Sequence, residues 1–87
     1  VSAVPNPARA SVDLRWNAPR AGGGRLTIFD ALGRVVWQRD LAPVEPGSGA
    51  IRWDARDQRG RRVPSGVYWA RAEVAGVRGE CRIVLQE

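Results

Sequence analysis

The sequence predicts an all-β protein, a sandwich of six to seven short antiparallel strands. Helical periodicity is nowhere sustained along the 87 residues, whereas apolar and polar residues alternate repeatedly between turns rich in Gly and Pro. Short strands with frequent turn signals favour two packed antiparallel sheets over one parallel sheet. Four Trp, one Tyr and one Phe supply the large side chains that a thin two-layer core needs. The length allows one domain, residues 1–87.

Residues 1–10 are predicted to form an extended arm and the edge of the first strand. Residues 4–7 cannot be helical, because each Pro restricts the residue before it. Residues 11–16 form a half-buried strand, since Val12, Leu14 and Trp16 share one face. We expect residues 17–24, with Pro19 and three consecutive glycines, to be a loop.

The middle of the chain predicts a hairpin, a long loop and a short strand. Residues 25–30 and 34–40 are its paired strands, joined by a turn in which Gly33 takes a positive φ. Residues 41–49 contain two prolines and two glycines, which is typical of a loop. Residues 50–53 are a strand that turns Ile51 and Trp53 toward the core.

The last third of the chain predicts a polar loop and a second hairpin. Residues 54–66 are the Arg-rich loop, residues 67–74 and 77–86 are the two strands, and Gly76 marks their turn. Cys81 shares its parity with Ile83 and Leu85, which predicts a buried small hydrophobe rather than a reactive thiol.

Three of the four tryptophans are predicted to pack in the core. Trp16, Trp53 and Trp69 share parity with aliphatic residues of their strands, which favours core packing over a carbohydrate or peptide surface. Trp37 has valines on both faces of its strand, and it is our first candidate for an exposed aromatic that forms an interface.

The composition argues against an enzyme and against a bound cofactor. Histidine is absent, which removes the commonest general base and the commonest metal ligand. The one cysteine can form neither an internal disulfide nor a thiolate zinc site alone. Ser48 lacks the G-x-S-x-G spacing of a nucleophile elbow, and no P-loop pattern is present.

All fourteen basic residues are Arg, and the net charge is +5. We interpret this as the codon bias of a GC-rich genome, because acidic residues are interleaved with the arginines. A nucleic-acid partner is therefore not expected. Four arginines cluster in the loop at residues 54–66 and form a second candidate interface: Arg56, Arg59, Arg61 and Arg62. A polyanion is the alternative ligand for this cluster.

No apolar run reaches the ~18 residues that span a bilayer, and no signal-peptide pattern is present. Because the first residue is Val1 rather than Met, we expect a processed product or a piece of something longer. The lack of an affinity tag favours a natural mature chain.

Several segments occur in an order that is typical of one family. They are Pro5-Asn6-Pro7, the strands around Gly33, the run Trp53-Asp54-Ala55-Arg56-Asp57-Gln58-Arg59-Gly60, and Gly66-Val67-Tyr68. With them the chain resembles the immunoglobulin-like domain first defined in flagellar hook-capping proteins. Relatives of that domain act as type IX secretion sorting domains at the C-termini of secreted bacterial proteins. The resemblance covers almost the whole chain and implies an immunoglobulin-like sandwich.

The motif residues have structural roles that physical chemistry predicts. Trp53 seals the edge of the sandwich, Asp54 and Asp57 accept backbone N–H groups in a turn closed by Gly60, and the Tyr68 hydroxyl bonds to backbone at a corner. Gly66 lets the chain turn into the Tyr68 strand. Two positions depart from the family: Ala55 replaces the usual Gly, and the chain ends in Gln86-Glu87 rather than in basic residues.

A calcium site at Asp54 and Asp57 is the alternative to a structural turn. We favour the turn, because Ca²⁺ takes six to eight oxygens and arginines share this loop. The resemblance implies a secreted or cell-surface module for sorting, anchoring or docking, with secretion machinery or the cell envelope as its partner. The alternative is a homo-oligomeric subunit of an extracellular filament, in which residues 1–7 lie across a neighbouring subunit.

Overall fold

The computed structural model describes residues 1–86 and confirms the all-β class. This part of the chain contains seven strands: β1 Ser2–Val4, β2 Val12–Ala18, β3 Gly22–Asp30, β4 Val35–Val44, β5 Gly47–Trp53, β6 Gly66–Val74 and β7 Val77–Leu85.

The strands form two antiparallel sheets, which confirms the sandwich. The three-stranded sheet has the order β1-β2-β5, and the four-stranded sheet has the order β4-β3-β6-β7. Strand β3 is one of the two inner strands of the larger sheet, with Ile28 opposite Trp37 of β4 on one side and Ala70 of β6 on the other.

The core fills the space between the inner faces of the two sheets. The largest side chains that are fully buried come from both sheets: Trp53, Leu14, Leu26, Ile28, Ile83 and Val12. The predicted alternation is confirmed in β2, where Val12 and Leu14 are completely buried and Asp13 between them is not. In β3 the expected core residues Leu26 and Ile28 are buried, but Thr27 between them is buried as well. Each such aliphatic side chain contributes about 1.5–3 kcal/mol through burial.

The two predicted loops at residues 17–24 and 41–49 are wrong in extent. Strand β3 begins at Gly22, and β4 runs on to Val44 before β5 begins at Gly47. Gly24 lies within β3, an inner strand. Only glycine fits at this position, because a Cβ would collide with the backbone carbonyl oxygen of Glu73. Pro43 is tolerated because β4 is an edge strand, where a missing N–H costs little.

Two predicted tryptophan positions are also wrong. Trp69 is 42% exposed, because it lies on the outer face of β6. The core face carries Tyr68, Ala70, Ala72 and Val74. Trp37 is half-buried and packs against the core. A bulge interrupts the β3–β4 pairing next to Trp37, because Ile28 is opposite Trp37 whereas Phe29 is opposite Val35. Trp53 is buried as predicted, and Trp16 is half-buried against the core.

The hairpin turns place glycines where a positive φ is needed. Gly33 has a φ of 83°, as predicted, and Gly76 has a φ of 80°. Ala75, which precedes Gly76, also has a positive φ of 52°. Cys81 is half-buried rather than fully buried, and this burial raises the pKa of its thiol.

The N-terminal residues pack on their own chain. Strand β1 pairs with β2, with Ala3 opposite Leu14. The segment Pro5-Asn6-Pro7 then bends, and the peptide bonds before both prolines are cis. The predicted extended arm is therefore a paired strand followed by a bend.

Candidate functional site: the corner loop and the sheet edges

Trp53 and Tyr68 form the corner of the sandwich that the motif predicts. Their rings meet edge to face, with centroids 5.7 Å apart and planes at 66°. The indole N–H of Trp53 donates to the carbonyl of Arg56 at 2.9 Å. The Tyr68 hydroxyl donates to the carbonyl of Pro64 at 2.6 Å. These bonds tie both ends of the 54–65 loop to the core, and burial, followed by the charge of Asp30, raises the pKa of Tyr68.

The loop contains a turn that Asp57 holds, as the sequence predicts. The Asp57 carboxylate accepts the N–H groups of Arg59 at 2.9 Å and Arg61 at 3.0 Å through one oxygen, Oδ1. Gly60, with a φ of 82°, donates its N–H to the Asp57 carbonyl at 3.0 Å. The turn is thus satisfied internally.

The β3–β4 turn has the same hydrogen-bonding pattern. Asp30 Oδ1 accepts the N–H groups of Leu32 and Arg34, both at 2.9 Å, and Gly33 donates to the Asp30 carbonyl at 3.0 Å. The two turns share the sequence Asp-x-x-Gly-Arg, at residues 30–34 and 57–61. The Arg34 N–H is the largest influence lowering the pKa of Asp30. Desolvation opposes it, and the Arg34 guanidinium adds to the lowering.

Ala55, at the position where the resemblance implies Gly, adopts a left-handed backbone conformation. Its φ is 60°, a left-handed value that costs a non-glycine residue about 1–2 kcal/mol. Its methyl group is almost fully buried, and its carbonyl accepts the N–H of Val63 at 2.9 Å. The loop therefore accepts strain here, and buried packing offsets part of it.

The carboxylates of the calcium alternative are engaged by the protein. Asp57 binds backbone N–H groups, and Asp54 lies 3.5 Å from the guanidinium Nε of Arg56. The expectation that Asp54 accepts backbone N–H groups is not met, because its side chain faces Arg56. Within residues 1–86, no group of three or more His, Cys, Asp or Glu side chains could hold a metal ion.

The four arginines of the candidate cluster separate into two kinds. Arg62 donates to the carbonyls of Arg9 at 2.6 Å and Ala10 at 3.3 Å, and Arg56 donates to the carbonyl of Gly60 at 2.9 Å. These two guanidinium groups therefore bind the protein's own backbone. Arg59 and Arg61 are exposed.

Asn6 covers one end of the outer edge of β7. Its side-chain amide donates to the Arg82 carbonyl at 2.7 Å, and its oxygen accepts the Val84 N–H at 3.0 Å. Ala8 continues this pairing through bonds of 2.8 Å and 2.7 Å to the backbone of Val84 and Gln86. The Pro5-Asn6-Pro7 motif thus satisfies backbone groups that an open edge strand would offer to another chain.

Gln58 does the same on the opposite edge of the sheet. Its backbone N–H donates to the Val36 carbonyl at 3.1 Å, and its Oε1 accepts the Gln38 N–H at 2.9 Å. Sequence reasoning missed Gln58, because nothing local indicates that a loop residue will reach an edge strand. In both places an amide side chain pairs with strand backbone.

The other ends of both edge strands have no such cover within the described residues. Because alternate residues of an edge strand point their backbone groups outward, Asp40 of β4 and Arg78 of β7 present theirs to solvent. These two residues lie in one row across the sheet with Arg25 and Glu73 between them. The four charged side chains of this row form two ion pairs. Arg25 lies 2.7 Å from Asp40, and Arg78 lies 3.5 Å from Glu73.

The sandwich, its capped edges and its tyrosine corner define an immunoglobulin-like domain. Residues 6–76 match the family model described as the FlgD Ig-like domain. The chain therefore belongs to the FlgD Ig-like domain family. A search of curated proteins finds no match to it.

Among the solved structures similar to this chain are two FlgD proteins and PorZ, all from bacteria. FlgD from Xanthomonas campestris is 27% identical with a TM-score of 0.72, over 94% of this chain and 62% of that one. PorZ, described as a surface component of the type-IX secretion system of Porphyromonas gingivalis, is 27% identical with a TM-score of 0.68, over 100% of this chain and 11% of that one. FlgD from P. aeruginosa, at 24% identity and a TM-score of 0.66 over 83% of this chain and 57% of that one, shows the fold alone. The chain thus spans less than two thirds of each of these structures.

The described part of the chain has no helix that is long and apolar enough to cross a membrane.

Proposed function

We propose that this chain is a non-catalytic module of an extracellular bacterial protein, which sorts, anchors or docks that protein through surface recognition. The observation that carries the proposal is the match to PorZ, which covers all of this chain but only 11% of that protein. In such an arrangement the domain is a small part of a larger surface protein. The family match over residues 6–76 supports the same role.

The chemistry of the described residues supports recognition rather than catalysis. The carboxylates of Asp30 and Asp57 are bound to backbone N–H groups, and the Tyr68 hydroxyl is bound to a carbonyl. These groups hold turns in place, so we assign them structural roles. A secreted or cell-surface location follows from the proposal.

The test is a fusion experiment in a bacterium with type IX secretion. A fluorescent reporter with an N-terminal export leader is joined to residues 1–87, and surface exposure is measured by protease accessibility on intact cells. We expect exposure to require both the module and the secretion system. The leader-reporter without the module is the control. A fusion that folds but stays in the periplasm would reject the sorting and anchoring role.

The alternative is a structural subunit of an extracellular assembly, with neighbouring subunits as partners. The uncovered ends of β4 and β7 favour it, because free backbone groups there accept an added strand. The covered ends and the charged row beside the open ends disfavour it. Light scattering with negative-stain microscopy decides between them, since filaments indicate a subunit and a monomer indicates a module.

A further inference from the structure

A groove of about 620 Å³ lies at one end of the sandwich, between the β3–β4 turn and the loop after β5. Its volume falls within the range of clefts that bind ligands. The groove is lined by residues of this turn, of this loop and of the adjoining strand ends, among them Leu32, Val35, Arg59, Pro64, Val67 and Tyr68.

The two walls of the groove are the two copies of the Asp-x-x-Gly-Arg turn. Leu32 and Arg59 occupy the same position in their respective turns, two residues after the Asp. Leu32 is 79% exposed and Val35 beside it is 56% exposed. Equivalent backbone positions thus present an apolar side chain on one wall and a cationic side chain on the other. The first wall also contains Arg34, whose guanidinium is paired with Asp30 at 2.9 Å.

The charges of the groove favour a ligand that carries carboxylates. Its own acidic groups, Asp30 and Asp57, are occupied by hydrogen bonds within their turns. Within residues 1–86, no acidic side chain forms an ion pair with Arg59, and the chain has a net charge of +5. An apolar surface bordered by an unpaired guanidinium is typical of a protein interface.

We propose that this groove binds an extended segment of a partner protein, with apolar side chains on one face and carboxylates on the other. Successive side chains of an extended segment point in opposite directions, which matches walls of different character. The apolar face contacts Leu32 and Val35, and the carboxylates pair with Arg59. The inference rests on the proposed docking role and names the chemistry of the partner.

The test uses a defined peptide and the whole chain. A fluorescein-labelled octapeptide of alternating Val and Glu is titrated by fluorescence anisotropy, and amide chemical shifts locate the bound peptide. We expect shifts at Leu32, Val35 and Arg59, and binding that weakens as salt rises. Two control peptides replace Glu by Lys and Val by Ser, and each is expected to bind at least about tenfold more weakly.

Matched variants separate the groove from general stickiness and from misfolding. Val35→Asp and Arg59→Glu are each expected to raise the dissociation constant at least about tenfold. Val77→Asp is the control for the first, because Val77 is 48% exposed and also begins a strand, at the other end of the sheet. Arg20→Glu, in the β2–β3 turn, makes the same charge change as Arg59→Glu.

Four results would overturn the proposal, and the last of them leaves the proposed docking role standing. The first is equal binding of the Glu and Lys peptides. The second is shifts along the open edges near Asp40 and Arg78 instead of the groove, which would indicate strand addition. The third is a dimer that Val35→Asp dissociates, which would assign the groove to a second copy. If the wild-type and Val35→Asp fusions reach the surface equally, docking survives and the groove has no part in it.

Discussion

Tyr68 holds one side of the sandwich corner through a single side-chain hydrogen bond. Its hydroxyl donates to the Pro64 carbonyl at 2.6 Å, on a side chain that is otherwise buried. We expect Tyr68→Phe to lower the free energy of unfolding by about 1 kcal/mol, because this bond is lost and the ring packing is kept. Urea unfolding at neutral pH measures it. An unchanged midpoint would show that the hydroxyl contributes no stability.

The same residue makes stability depend on pH in the alkaline range. Its pKa is raised above the ordinary value of 10.0, chiefly by burial. The unfolded chain therefore releases the phenolic proton first, so the stabilisation is complete below pH 10 and is lost as the pH rises through the folded value. We expect the difference between wild type and Tyr68→Phe to shrink above pH 10. Because the chain has one Tyr, absorbance near 295 nm follows this titration directly.

The conformation or burial of a residue was predictable from the sequence where its place in a turn or strand allows only one arrangement. Gly33 has the positive φ that was predicted for its turn, Gly60 closes its turn as predicted, and Trp53 is buried as its strand pattern predicts. Trp69 was not predictable, because the core face of β6 carries Tyr68 and two alanines, and Trp69 lies on the opposite face. Local alternation identifies two faces, but only tertiary packing decides which face is the core.

At the scale of elements, the capped edges explain why an asparagine stands between two prolines. We expect Asn6→Ala to leave the Arg82 carbonyl and the Val84 N–H without partners from the protein. The free energy of unfolding should fall by about 1 kcal/mol, and self-association should rise because the β7 edge is open. Urea unfolding and light scattering over a concentration series measure the two effects.

Asn17→Ala is the control for this prediction, because Asn17 is also exposed and makes no side-chain hydrogen bond within the described residues. It should leave both quantities unchanged. If Asn6→Ala behaves like Asn17→Ala, the amide bonds to β7 do not protect the edge.

The strands themselves were largely predictable, whereas their ends were not. The glycines at 22–24 and the prolines at 43 and 46 predicted loops, yet β3 and β4 extend through most of these positions. Gly24 is needed because two backbones approach closely, and Pro43 lies in an edge strand. Both residues are typical of loops, and only the sheet that surrounds them explains their place in a strand.

At the scale of the whole molecule, the N-terminal segment decides between the two proposed roles. In the structure, β1 pairs with β2 of its own chain, and Val1 and Ala3 pack against the core. We expect deletion of residues 1–7 to lower the free energy of unfolding by about 2–4 kcal/mol, through lost pairing and lost apolar burial.

The deletion should also change the size of the particle in solution, and the direction of that change separates the roles. If residues 1–7 cover their own domain, removing them opens the edges of β2 and β7, and a monomer becomes a self-associating species. If they instead join neighbouring subunits, removing them converts assemblies into monomers. Light scattering of both chains at equal concentration measures the change, with Asn6→Ala as the intermediate case that keeps β1. Because the observed pairing is internal, we expect the deletion to increase the size, and a decrease would favour the subunit of an assembly.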